Sequence, residues 1–130
     1  EAYEAQKMAY VPYSHWKVGA ALLTKEGKIY RGCNIESSTF SPTNCAERTA
    51  FFKAVSEGER NFTAIAIVGN DENTPIGKGD YCPPCGVCRQ VMTEFCAMDF
   101  EVILAKDYDK YEVYTLGQIM PLVSLPLSNK

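Results

Sequence analysis

Phe62-Thr63-Ala64-Ile65-Ala66-Ile67-Val68 is the stretch on which the fold turns. It is a nearly continuous apolar, β-branched run, without the polar alternation of a half-solvated strand. That pattern belongs to a strand covered on both faces, so it predicts a central strand with helices above and below. Just upstream, Cys45 to Val55 sets Ala46, Ala50, Phe51, Ala54 and Val55 on one helical face, with Gly58 as its stop. Further upstream, Val18–Leu23 and Ile29–Cys33 flank the polar turn Lys25-Glu26-Gly27-Lys28 and predict an antiparallel hairpin. Ala2, Ala5, Met8 and Ala9 recur at helical spacing and predict a first helix that closes near Tyr10, ahead of Pro12.

Downstream of the central run, Gly69 to Tyr81 reads as a long polar loop, a length that compact domains reserve for functional or mobile segments. Val87, Val91, Met92 and Phe95 then share the face of a third helix, entered through Pro83 and Pro84, where a missing N–H costs nothing. Phe100–Leu104 and Tyr111–Tyr114 predict two more strands, and Thr115-Leu116-Gly117-Gln118 predicts a capping box that opens a short last helix. Helices alternating with strands in this order predict a three-layer α/β/α sandwich built on a five-stranded mixed sheet, mostly parallel at its core. Residues 1–130 give room for one domain.

Composition narrows the function. Thirteen Lys plus Arg against sixteen Asp plus Glu give a net charge of -3, without the basic clustering that a nucleic acid polymer requires. With 46% hydrophobic residues the chain can build a core, yet no apolar run approaches a membrane span. The opening Glu1-Ala2-Tyr3-Glu4 has no basic stretch followed by an apolar segment, so the expectation is a cytoplasmic protein in a reducing compartment.

Six cysteines beside one histidine are the odd feature, and their spacing carries the chemistry. Cys45 stands at the start of the second predicted helix, and Cys85 and Cys88, one turn apart, at the start of the third. Helix N-termini favour thiolates, and three thiolates at two helix starts can converge on one ion. Zinc accepts sulfur ligands in tetrahedral geometry, and three protein ligands leave its fourth position for water, the mark of a catalytic site. Glu47, two residues past Cys45, can reach that water without reaching the metal and act as proton shuttle. Arg48 lies on the same helical side as Cys45, placed to hydrogen-bond the thiolates and offset their charge.

Cys45-Ala46-Glu47 with Pro84-Cys85-Gly86-Val87-Cys88 resembles the zinc-dependent deaminase signature in its all-cysteine form. The resemblance is closest to the small cytidine deaminases. It extends through Tyr13-Ser14-His15-Trp16-Lys17-Val18-Gly19-Ala20-Ala21, Gly32-Cys33-Asn34-Ile35-Glu36, Cys45 to Ala50 and Pro84 to Gln90, in that family's order. It implies a cytidine deaminase-like fold and hydrolytic conversion of cytidine and 2′-deoxycytidine to the uridines with release of ammonia, in pyrimidine salvage. It also implies one Zn2+ per chain on Cys45, Cys85 and Cys88. Glu47 would take a proton from the zinc-bound water, hand it to ring N3, and next carry a proton to the departing amine. Asn34 and Glu36 match the residues that hold the sugar hydroxyls, Trp16 replaces an aromatic that flanks the pyrimidine, and the Ala46 backbone reads the base edge. The family assembles as a homotetramer that shares sites across subunits. Ser124 stands where the family tends to carry an aromatic that reaches a neighbouring site, Ser37 and Ser38 replace a common Asn-Ala, and the loop over 69–83 is longer than usual.

Blander readings account for part of the pattern. Cys82 and Cys85 alone could form a redox dithiol, and Cys82 could join the other three sulfurs in a closed structural zinc site. Cys33 and Cys96 fit small buried hydrophobes, and His15 a surface or packing residue beside Trp16. Within the deaminase class, blasticidin S is an alternative substrate.

Overall fold

A computed structural model describes residues 1–39, 41–75 and 79–120. The chain runs α1 (Ala2–Gln6), β1 (Trp16–Thr24), β2 (Ile29–Cys33), α2 (Ala46–Ser56), β3 (Phe62–Asp71), α3 (Gly86–Phe95), β4 (Glu101–Ala105), β5 (Tyr111–Thr115) and α4 (Leu116–Ile119). The strands form one five-stranded sheet in the order β2-β1-β3-β4-β5, with β3 at its centre.

Side-chain alternation assigns each face of the sheet its cover. Leu22, Ile65, Ile67, Val102 and Leu104 point into the main core, where Ala50, Phe51 and Ala54 of α2, Met92 of α3 and Leu116 of α4 meet them. Phe51 anchors that core with its ring centroid 5.2 Å from Phe62 and 6.1 Å from both Phe95 and Phe100. On the opposite face Ala2 and Tyr3 of α1 pack on Val68, beside Ala21, Ala66 and Ala105. The three layers predicted from the central run are therefore present.

The expected parallel core is corrected. Among the five strands, β3 and β4 are the one parallel pair, while β1 pairs antiparallel with both β2 and β3, and β5 antiparallel with β4. The connection from β2 through α2 to β3 does bring two strands into the same direction, but β1 lies between them. A crossover makes a parallel pair only when no hairpin partner is interposed.

Two element boundaries also move. The first helix ends at Gln6 rather than near Tyr10, because the chain turns at Lys7 and Met8 to bridge Tyr10 with Ile35. β3 runs on through Gly69, Asn70 and Asp71, residues expected in the loop, because β1 begins early enough to pair Trp16 with Asp71 and Lys17 with Asn70. Gln6 Nε2 ties that extension down, donating to Asn70 Oδ1 at 3.0 Å.

α2 lies tight on the sheet at Gly32. A Cβ there would collide with the Ala46 carbonyl oxygen and the Ala50 backbone, so only glycine lets the first turn of α2 approach β2 so closely. Cys45 is carried to its position by that contact.

Candidate active site

Both helix starts present sulfur. Cys45 is the N-cap of α2, and Cys85 is the N-cap of α3, where its Sγ accepts from the Cys88 N–H at 3.4 Å. Cys45 Sγ and Cys85 Sγ lie 3.7 Å apart, Cys85 Sγ and Cys88 Sγ 3.3 Å, and all three sulfurs fall within 4.8 Å of one another. Sulfurs bound tetrahedrally at about 2.3 Å from zinc stand roughly 3.8 Å apart, so the group fits that ion with little movement.

Charge is arranged around the sulfurs. Hydrogen bonds from Cys88, Arg48 and Cys85 hold the Cys45 thiol down at about 5, with the Arg48 charge beside it. Arg48 Nη2 donates to Cys45 Sγ at 3.4 Å. Cys88, 1% exposed, is the proton-holding partner, pushed upward by its hydrogen bond to Cys45, by burial and by the nearby Glu47. Neighbouring thiols and Arg48 set Cys45, rather than Cys88, as the one of that pair that ionises first.

Glu47 is 4% exposed in the first turn of α2. Burial, reinforced by the charge of Cys45, pushes its carboxyl up to about 7. A carboxylic acid poised near neutrality beside a metal-binding group suits proton transfer in both directions. Ala46, fully buried between Cys45 and Glu47, fixes their spacing.

The description "Cytidine and deoxycytidylate deaminase zinc-binding region" matches residues 1–104. A cytidine deaminase from Sporosarcina psychrophila is 50% identical over 121 residues, covering 93% of this chain and 84% of the relative. This chain belongs to the cytidine and deoxycytidylate deaminase family. It is accordingly an enzyme of that family, and its fold agrees. The crystal structure of cytidine deaminase from Burkholderia pseudomallei superposes with a TM-score of 0.82 at 42% identity, covering 95% of this chain and 93% of that one. A blasticidin-S deaminase from Bacillus cereus is 31% identical over 122 residues, covering 93% of this chain and 85% of the relative.

Beyond the sulfur cluster, the deaminase fold gives the remaining expected residues definite partners. Asn34 brackets the start of β1: its Oδ1 accepts from the Val18 N–H at 2.9 Å and its Nδ2 donates to the Trp16 carbonyl at 2.8 Å. Glu36 Oε1 accepts from the N–H groups of Tyr13 and Ser14 at 3.1 and 3.2 Å, and these hydrogen bonds, that of the Ser14 side chain foremost, hold its carboxyl below the usual range. Trp16 is 43% exposed at the first position of β1. Ser124 lies outside the described residues.

The spare cysteines separate from the cluster. All six are free thiols. Cys96 is buried in the core and Cys33 half-buried, as small hydrophobes. Cys82 stands outside the metal-binding group among the described residues and meets Gly69 and Trp16 instead.

His15 is exposed and pairs through Nδ1 with Glu72 Oε1 at 2.9 Å, at a backbone φ of 59° that few non-glycine residues adopt. That pair pins the Tyr13–Trp16 segment to the end of β3. Nothing in the sequence announced it, because the partners are 57 positions apart. The same is true of the two backbone N–H groups that hold Glu36.

Proposed function

We propose that this chain hydrolytically deaminates cytidine and 2′-deoxycytidine to uridine and 2′-deoxyuridine, releasing ammonia, with one Zn2+ held by Cys45, Cys85 and Cys88. The observation that carries it is a buried Glu47 in the first turn of the helix that Cys45 caps, with the Cys45, Cys85 and Cys88 sulfurs converging from two helix starts. Bound there, zinc supplies an acidified water as nucleophile at neutral pH.

The residues of the chain do the rest. Glu47 takes one proton of the water to ring N3 as the oxygen adds at C4, then takes the second from the C4 hydroxyl to the amine nitrogen as the C4–N bond breaks and C4=O forms, ending in the protonation state in which it began. One carboxyl can serve as acid and base in turn because burial centres it near pH 7. Arg48 offsets the negative charge of the thiolates through its hydrogen bond to Cys45. Asn34 Nδ2 carries two N–H groups; one goes to Trp16 O, and the second meets a sugar hydroxyl. Glu36, its carboxylate fixed by Tyr13 and Ser14, accepts from another hydroxyl. Trp16 flanks the pyrimidine and the Ala46 backbone reads its edge.

The preference for cytidine over blasticidin S is supported by the higher identity to a cytidine deaminase than to a blasticidin-S deaminase. One catalytic domain over 1–130, a homotetrameric assembly and a place in cytoplasmic pyrimidine salvage complete the reading. The resemblance supports those three. Among the described residues, no helix is long and apolar enough to cross a membrane.

The test is loss of cytidine absorbance by protein holding about one zinc per chain. In Glu47→Gln, zinc content is expected to persist while kcat falls by about 10²–10⁴-fold. A zinc-loaded wild type inactive on cytidine, deoxycytidine and blasticidin S overturns the reading.

A further inference from the structure

Cys82 is a thiol that the chemistry above does not use, yet it is not idle packing at a distance. A Cβ built on Gly69 would stand 2.7 Å from Cys82 Sγ, 2.9 Å from Cys82 Cβ and 3.3 Å from Trp16 Nε1. The sulfur and the indole nitrogen thus share the small space above one glycine of β3. The indole N–H is the donor nearest to hand for that sulfur across the glycine, both atoms lying within 3.3 Å of one point. The three residues come from separate parts of the chain: Trp16 from the first position of β1, Gly69 from the extension of β3 opposite β1, and Cys82 from the approach to α3.

Trp16 is only partly buried. Its backbone is held at both ends, by Ser14 Oγ at the N–H and by Asn34 Nδ2 at the carbonyl, but the side chain is 43% exposed. An indole anchored only by its backbone samples several rotamers. One hydrogen bond to its single polar atom selects among them, and indole has no other polar atom to offer.

We propose that Cys82 is a positioning residue: its sulfur accepts the indole N–H of Trp16 across Gly69 and holds that ring in the orientation in which it flanks the substrate base. The consequence for substrate rests on the deaminase reading; the hold on the ring does not. Cys82 touches no reacting atom, so its loss weakens base binding and leaves the chemical step alone.

Trp16 is the only tryptophan, so its fluorescence reports this contact without substrate. In Cys82→Ala the time-resolved anisotropy of the indole is expected to gain a fast local component and acrylamide quenching to rise. In Cys82→Ser, whose hydroxyl accepts the same N–H, both are expected to stay near wild type. With cytidine, Cys82→Ala is expected to raise KM about fivefold with kcat within about twofold, and Cys82→Ser to recover most of the KM. In a Trp16→Phe background, which lacks the donor, Cys82→Ala is expected to change KM no further. Unchanged indole anisotropy in Cys82→Ala overturns the proposal, as does a KM effect that persists undiminished in Trp16→Phe or a loss confined to kcat. A wild type inactive on every nucleoside overturns the deaminase reading and the substrate consequence with it. The anisotropy comparison, which needs no turnover, tells that failure from a failure of the Cys82 contact.

Discussion

Arg48 sends Nη2 to the Cys45 sulfur, while its Nε is buried with no hydrogen-bond partner among the described residues. A guanidinium kept in place at that cost is held by the charge of the sulfurs it faces. Replacing it in Arg48→Gln keeps a donor and removes the charge; zinc affinity is expected to fall by about 10–100-fold, measured by competition with a chromophoric chelator. Cys45, Glu47 and Arg48 were legible in the sequence because their offsets lie within one helical turn. The partners of Asn34, Glu36 and Cys82 were not, since they depend on how the Tyr10–Trp16 segment folds back over β3. A local pattern can name a chemical group, but a contact between distant segments exists only once the sheet sets the register.

The short α4 shows how far local pattern reaches. Thr115 Oγ1 accepts from the Gln118 N–H at 3.2 Å and Gln118 Oε1 accepts from the Thr115 N–H at 2.8 Å, the reciprocal pair read from Thr115 to Gln118. Thr115→Ala is expected to cost about 1 kcal/mol and lower Tm by about 3–6 °C in a thermal melt, because Leu116 on the same turn is buried against the core. The first helix was overextended for the opposite reason. Met8 fits the apolar spacing but is 75% exposed, and the backbone of Tyr10 leaves the helical path for its bridge to Ile35. Spacing predicts a helix's face; a competing tertiary partner decides where it stops.

Across the whole molecule, buried ionisable groups set an alkaline limit. Burial pushes the Cys96 thiol from its ordinary 9.0 up to about 12. The folded chain therefore keeps that proton after the unfolded chain has lost it. The stabilising contribution is whole below pH 9 and is lost as pH rises from about 9 to 12. Above about pH 9 the Tm of the wild type is expected to fall more steeply than that of Cys96→Ala, while the Tm difference between the two stays constant below pH 9, read by calorimetry across pH 7 to 11. Cys33, Cys82 and Tyr3 are raised by burial as well and act with the same sign, so the decline shrinks in that variant without vanishing. The sandwich, the central β3 and the hairpin were legible from periodicity. The direction of pairing was not, because hydrophobic pattern says which face a residue takes and nothing about whether β1 will be threaded between β2 and β3.

That threading divides the sulfur cluster into a local part and a long-range part. Cys85 and Cys88 are three residues apart and lie at the start of α3, whereas Cys45 stands 40 positions before Cys85 and meets it only because the sheet sets α2 beside α3. The winding of one helix is enough to bring together two of the sulfurs, but the third is a product of the whole fold, so a change that loosens the sheet reaches the metal-binding group through Cys45 first.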